Sequence, residues 1–451
     1  MIRAIKKYWL FALFVYLSVW TALGSAAMSE VISFSPLAKQ IFSLLLYLPF
    51  ALLILWKLVG DLHDFKPTKL NILYYSLAAY YVILTAVRLF TRGEFKESLY
   101  YCVTFFGVIA VFIMFRDRKL QMSAAALQKN LYAIVAFAVL YKLIFTLLEG
   151  NTFSHAPINN LYSTSLLVLL MPLMVDGLKQ TGGRKAWFSY ALLCLSFTLI
   201  LVCKSRAIVV LAAVVLGVLF LMNLRKPKVL ATLLILLLCA VLLVALMAWL
   251  EAGDVRIALY RSFGIVFDVP SPIPKPVPTD PNVTPSIEVS AQQQIGRSDD
   301  MRSVLFNLGV EQMKKNILFG TGDLYYTYDL GYKTMDQTAH NFLVECMICY
   351  GAIGTVLVAA ILFFMLWDCR FFCKDGLKKW QGWLSVLLIL FHFFALGMVQ
   401  PSVFNTLVCP FFGAVLAYYS LVLNPPEEKN DGLKLLSLFR HRKALPHDPE
   451  E

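Results

Sequence analysis

The sequence predicts an all-α polytopic membrane protein of about twelve transmembrane helices, with one large external loop containing a short amphipathic helix. Three observations carry that prediction. Of the 451 residues 59% are hydrophobic and only 15% charged, with mean hydropathy +0.70; a soluble chain of this size needs more charge to cover its surface. Apolar stretches of about 20 residues, the length a spanning helix requires, recur along the chain. Lysines and arginines gather in alternate connections, as cytoplasmic loops demand.

The predicted spans lie near 8–28, 36–56, 71–90, 98–115, 130–148, 161–178, 187–203, 207–224, 229–250, 341–366, 383–400 and 402–423. The opening, "MIRAIKKYWLFALFVYLSVWTALGSAA", has the small-residue end of a signal peptide. Its apolar core is long and eleven spans follow, so it is expected to stay as the first helix. With the N-terminus inside, the inner connections take Lys57, Lys66 and Lys69, then Arg116, Arg118, Lys119 and Lys129. Every later inner connection is basic too. The chain therefore divides into spans one to nine (1–250), a large external loop (251–340), spans ten to twelve (341–423) and a basic cytoplasmic tail (424–451). The net charge of +12 reads as orientation and contact with anionic membrane lipid, with no call for nucleic acid. Arg88, Arg92, Lys204 and Arg206 fall on the outer side, against the orientation rule, and need another reason to be there. Lys142, near the outer end of span five, is expected to snorkel toward headgroups.

The external loop changes character along its length. "VPSPIPKPVPTDPNVTP" (269–285) is an extended, proline-rich excursion. "SDDMRSVLFNLGVEQMKKN" (298–316) reads as a helix, with Ser298, Asp299 or Asp300 able to cap it and Val304, Leu305, Leu308 and Met313 on one face. A turn on Gly320 and Gly322 follows. None of the nine cysteines lies in 251–340, so a disulfide framework is not expected there. Cys346 and Cys349 form a CxxC inside an apolar run, which reads as core packing.

That run opens with His340 and Asn341, a polar pair at the mouth of span ten. Such a pair can cap a helix by satisfying its free N–H groups. Alternatively a neutral imidazole, with pKa about 6.5, accepts a proton from an incoming hydroxyl. Glu345, a turn and a half further on, is an ionisable group at a depth where it needs a partner or a task. Arg206, at the mouth of span eight, offers a planar fork of donors suited to phosphate oxygens, or it snorkels to lipid. His155 and His392 are weaker candidates, the second reading as a packing residue.

Together these residues resemble a family. "HNFLVECMICYGAIG" is similar to the signature of the O-antigen ligase and polysaccharide polymerase superfamily, His-Asn, nine residues, then Gly-x-x-Gly: here His340, Asn341, Gly351 and Gly354. "KSRAIVVLAAVVLG" resembles that family's Ser-Arg opening of an upstream span, and "RSVLFNLGVEQMKKNILFGTG" its external helix followed by a Phe-Gly-x-Gly turn. Val210 stands where the ligase branch usually carries leucine. The resemblance implies a metal-independent bacterial inner-membrane glycosyltransferase that needs no cofactor and works at the outer face. Its donor would be a polyprenyl-diphosphate-linked oligosaccharide and its acceptor a glycan or lipid-anchored sugar. Arg206 and Arg302 would hold the diphosphate, with Asn341 also on the substrate side, and His340 would serve as base or positioner for the acceptor hydroxyl. Gly351 and Gly354 are expected to let another helix approach closely. A lipid-linked glycan flippase or other twelve-span transporter is the alternative. No repeat between halves favours a transporter, and the His-Asn signature is not expected of a flippase. Ligase, polymerase and protein glycosylation remain open choices of acceptor.

Overall fold

The structure, a computed structural model, describes residues 8–19, 36–92, 96–117, 122–148, 162–180, 184–203, 205–251, 255–265, 305–322, 326–329, 334–337, 339, 341–368, 386–391, 395 and 409–423. In chain order the helices are α1 (Tyr8–Val19), α2 (Pro36–His63), α3 (Lys69–Arg92), α4 (Lys96–Arg116), α5 (Ala124–Leu148), α6 (Tyr162–Gln180) and α7 (Arg184–Leu201). They continue with α8 (Arg206–Met222), α9 (Pro227–Trp249), α10 (Val255–Phe263), α11 (305–315), α12 (Phe342–Asp368), α13 (386–391) and α14 (Cys409–Leu423). One antiparallel hairpin, β1 (Tyr326–Asp329) with β2 (Thr334–Gln337), interrupts the helical pattern, pairing Tyr326 with Gln337 and Asp329 with Thr334. The architecture is otherwise helical, as the sequence predicts; two four-residue strands carry too little periodicity to stand out beside long apolar runs.

Among the described residues, five helices are long and apolar enough to cross a membrane: Leu44–His63 in α2, Lys69–Thr91 in α3, Ala124–Ile144 in α5, and α9 and α12. Six shorter apolar helices lie in α1, α4, α6, α7, α8 and α14. All eleven overlap predicted spans. Their surfaces identify the solvent they need. On α9, Leu234, Ile235, Leu238 and Leu242 are each more than half exposed, a continuous apolar band that water would not tolerate and lipid satisfies. This is a membrane protein.

The core is built around helices that are apolar on every side. Residues 105–115 of α4 and 164–175 of α6 are buried without interruption, as expected of helices surrounded by others. α4 is flanked by α2 and α14. Gly107 admits Phe50, whose ring would lie 2.9 Å from an added Cβ, and Gly413 sits against the Val108 carbonyl at 2.7 Å from where its Cβ would be.

α3 and α12 run antiparallel. Lys69, at the start of α3, holds its ammonium 5.4 Å from the Phe364 ring near the end of α12, whereas Tyr80 and Arg88 meet Tyr350 and Cys349 in the first part of α12. The Lys69 end is tied by a buried polar network. Lys57 donates to Asp61 (2.5 Å) and Asn71 (3.0 Å) and lies 4.7 Å from the rings of both Tyr74 and Tyr75. The Tyr75 hydroxyl donates to Asp61 (2.6 Å), and Asn71 donates to Asp117 (3.0 Å). Arg116 completes the link by donating to Asp117, to Thr68 and to Asp368 at the end of α12. Lys57 was expected in an inner connection, but it is 1% exposed within α2, which runs on to His63. Asp61, one turn later, neutralises it and lets the helix continue. Lys142 differs from expectation as well: at 2% exposure it is enclosed by protein and does not snorkel.

Candidate functional site

The opposite end of α12 begins at Asn341. Its side-chain Oδ1 accepts the backbone N–H groups of Leu343 (3.1 Å) and Val344 (3.2 Å), and so caps the helix by satisfying donors that have no partner within it. The residue placed on the substrate side therefore also fixes where α12 starts. Glu345, in the first turn, is fully buried. Cys346 and Cys349 are buried and form no disulfide, in keeping with a packing role. His340 and Arg302 lie outside the described residues, as do Lys204, His155, His392 and the proline-rich segment.

α12 is not one continuous helix. Gly351 has φ 65° and ψ −173°, which breaks it into 342–350 and 352–368. A break of this kind exposes backbone groups that a membrane interior cannot hydrate, and five groups beside it have partners outside the helix. The Ile348 carbonyl accepts from the Gly322 N–H at 2.9 Å. The Cys349 carbonyl accepts from Arg88 Nη2 at 2.9 Å, and the Tyr350 carbonyl from the Tyr80 hydroxyl at 2.7 Å. Going the other way, Ala352 N–H donates to Ile317 (2.7 Å) and Ile353 N–H to Leu318 (3.4 Å).

The segment that fills the break is the Phe-Gly-x-Gly turn, 319–322. Gly320 and Gly322 have φ 68° and 87°, a region that side chains disfavour. The contact is as close as backbones permit. A Cβ on Gly351 would lie 2.2 Å from the Leu318 carbonyl oxygen, and one on Gly320 2.3 Å from that of Ile348. Gly351 was expected to admit another helix. It admits a turn instead, and Gly354 packs against Tyr80, 2.9 Å from where its Cβ would be.

α11 leads into this turn and docks on the capped half of α12. Val310 and Met313 pack on Ala339, Val344 and Ile348, and Gly309 lets the helices close to the point where a Cβ would meet Ala339 at 2.7 Å. Leu305 is buried and Leu308 and Met313 half-buried, three residues of the face read from the sequence; Val304 lies outside the described residues. Arg302 precedes the described start of α11 by three residues.

Arg206 is the first residue of α8, and its side chain is exposed. Ser205 before it is extended (φ −115°, ψ 109°) and makes no side-chain cap. An exposed guanidinium and the positive end of a helix dipole thus occupy one place, and both favour anions. α10, which the sequence did not reveal, packs against α8 and α9. It is hooked there by Arg256, which donates to the Ala248 carbonyl (2.7 Å) and pairs with Glu251 (2.7 Å).

Sequence reasoning noticed Arg88 as an anomaly without placing it. Arg88 Nη2 bridges two carbonyls, Phe319 of the turn and Cys349 of α12, each at 2.9 Å. Beside it lies a cavity of about 400 Å³ between α3 and the turn, lined by Tyr80, Ile83, Val87, Arg88, Asn316 and Phe319 among others. The signal available in sequence was an arginine on the wrong side of the charge rule.

Residues 190–359 match the family model described as O-antigen ligase, which supports the superfamily that the His-Asn, Ser-Arg and Phe-Gly-x-Gly motifs resembled. The matched region takes in α8, α11, the turn and the break in α12. No curated protein sequence matches the chain.

Proposed function

We propose, from the O-antigen ligase match over residues 190–359, that this protein transfers a glycan from a polyprenyl diphosphate carrier to an acceptor hydroxyl at the outer face of the bacterial inner membrane. Arg206 and Arg302 hold the diphosphate and stabilise charge that grows on it as the glycosidic bond breaks. His340 takes the proton of the attacking hydroxyl or orients it. Diphosphate is a competent leaving group, so the mechanism asks for neither metal nor cofactor. Asn341 contributes by fixing the start of α12, and with it the position of the neighbouring His340.

One observation supports the reading within the matched region: an exposed arginine opens α8, where Ser205 makes no side-chain cap, and the guanidinium and the helix dipole both favour an anion. The docking of α11 on the first turns of α12 supports the meeting of Arg302 with His340: His340 follows Ala339 of the contact directly, and Arg302 lies seven residues before Gly309 on the other side of it. Surface-polysaccharide synthesis is the setting; ligase and polymerase differ in what they leave behind. In a strain lacking this chain, a polymerase defect leaves single repeats on carrier and on acceptor. A ligase defect leaves long polymers on the carrier and none on the acceptor. Mass analysis of lipid-linked and acceptor-linked glycans distinguishes them, and an unchanged glycan profile in both pools overturns the proposal.

A further inference from the structure

We infer that Arg88 is a positioning residue for this site, resting on the function proposed above: it clasps the 316–322 turn into the break of α12. The turn leads directly from α11 and the break ends the half-helix that starts at Asn341. Holding one in the other fixes α11 against the half-helix that Asn341 caps.

Three features of the geometry make Arg88 the residue that does this. Its Nη2 donates at once to Phe319 of the turn and Cys349 of the half-helix, so one nitrogen belongs to both elements and to neither alone. Its guanidinium also fills the space over Gly322: an added Cβ there would lie 2.6 Å from Nη1. The second glycine of the Phe-Gly-x-Gly turn is thus accounted for by the arginine as well as by its own φ of 87°. Finally, Arg88 is anchored on α3, which is tied to the other end of α12 through Thr68, Arg116 and Asp368. The clasp references the turn to the bundle. Charged hydrogen bonds are the strong ones where water is scarce, and this explains an arginine on the side of the membrane where the orientation rule disfavours it.

The test uses the full chain in lipid nanodiscs, with the polyprenyl-diphosphate glycan extracted from the deletion strain as donor. Hydrogen–deuterium exchange is read on peptides covering 317–322 and 348–353, and kcat and KM on the folded fraction. In Arg88→Met both peptides lose protection while α6 keeps its own. Donor kcat/KM falls about 10²-fold, the scale of a misplacement of about 1 Å made away from the chemistry. Arg88→Lys, whose nitrogen can still reach the two carbonyls, recovers a measurable part of both. Gly322→Ala pushes the guanidinium away from the other side and gives the same exchange pattern. Unchanged protection in Arg88→Met overturns the clasp. Lost protection with unchanged kinetics reduces Arg88 to a structural residue and overturns the positioning role. A wild-type protein inactive with this donor overturns the proposed function, while the exchange measurement still decides the clasp.

Discussion

Replacing Gly351 with alanine tests the break in α12 most directly. Two costs add. The backbone at φ 65°, ψ −173° lies in a region that is essentially restricted to glycine and costs a side-chain-bearing residue of order 1–3 kcal/mol. The new Cβ would also stand 2.2 Å from the Leu318 oxygen and 2.5 Å from the Phe319 nitrogen, both backbone atoms that cannot swing aside. The turn has to retreat, and the Ala352–Ile317 and Ile353–Leu318 hydrogen bonds go with it, at a net cost of about 1 kcal/mol each. Gly351→Ala is therefore expected to lose about 3–5 kcal/mol as the sum of strain and hydrogen bonds. The assay is thermal unfolding in nanodiscs alongside wild type and Gly217→Ala. Gly217 lies in α8 with nothing within 4 Å of its Cβ position, so that variant should stay within about 1 kcal/mol of wild type. Gly351→Ala unfolding together with Gly217→Ala, with amides 317–322 still protected, would show that α12 does not break at Gly351.

One further outcome follows from a named contact and two from the proposed function. Asp61→Asn strands the enclosed Lys57 ammonium and should destabilise by about 3–5 kcal/mol, whereas Lys57→Met with Asp61→Leu should cost less than Asp61→Asn alone; unfolding midpoints showing the reverse order would remove the coupling. Arg206→Ala should raise the donor KM, and Arg206→Lys should restore it only in part because a point charge does not replace a planar fork; full restoration by lysine refutes bidentate binding. His340→Ala should leave donor affinity intact and lower kcat by about 10²–10⁴-fold. Near-normal turnover in His340→Gln would make it a positioner of the acceptor, and normal turnover in His340→Ala would leave it no catalytic part.

Hydropathy made the helices legible because length and apolarity are local properties: each of the eleven apolar helices overlaps a stretch that composition alone marks out. The buried face of α11 was legible for the same reason, since Leu305, Leu308 and Met313 repeat at helical spacing. The break in α12 was not. "FLVECMICYGAIGTVL" is apolar on both sides of Gly351, and a glycine in such a run reads as a helix-packing residue. What breaks the helix is the turn that replaces its hydrogen bonds, and the partners come from far away. Arg88 is 231 residues from Phe319 and Tyr80 is 270 from Tyr350. Lys57 was misplaced through a different blindness. A charge count treats every lysine as seeking water, and takes no account of an aspartate four residues on that allows it to be buried. At the site, the sequence placed Arg206 at the mouth of span eight, and it is the exposed first residue of α8. The capping role of Asn341 was legible as one of two readings, and the hydrogen bonds to Leu343 and Val344 show that this reading describes its Oδ1.

The spacing inside the His-Asn signature acquires a physical meaning from the break. Asn341 caps α12 and Gly351 ends its first part, so the nine residues between them are a half-helix, about 13 Å long at 1.5 Å per residue. Both ends of that rod are fixed by hydrogen bonds, one by the Asn341 side chain and the other by Gly322, Arg88 and Tyr80. Its flank is fixed by Val310 and Met313 of α11. A rod held at both ends and along one side cannot rotate, and a single residue more or less between cap and break would turn the cap by about 100° relative to the turn. The Phe-Gly-x-Gly and Gly-x-x-Gly motifs are therefore two halves of one joint. The joint sets the angle at which the Asn341 end of α12 is presented. Gly351 belongs in the same signature as Asn341 because the break it makes and the cap Asn341 provides fix the two ends of one half-helix.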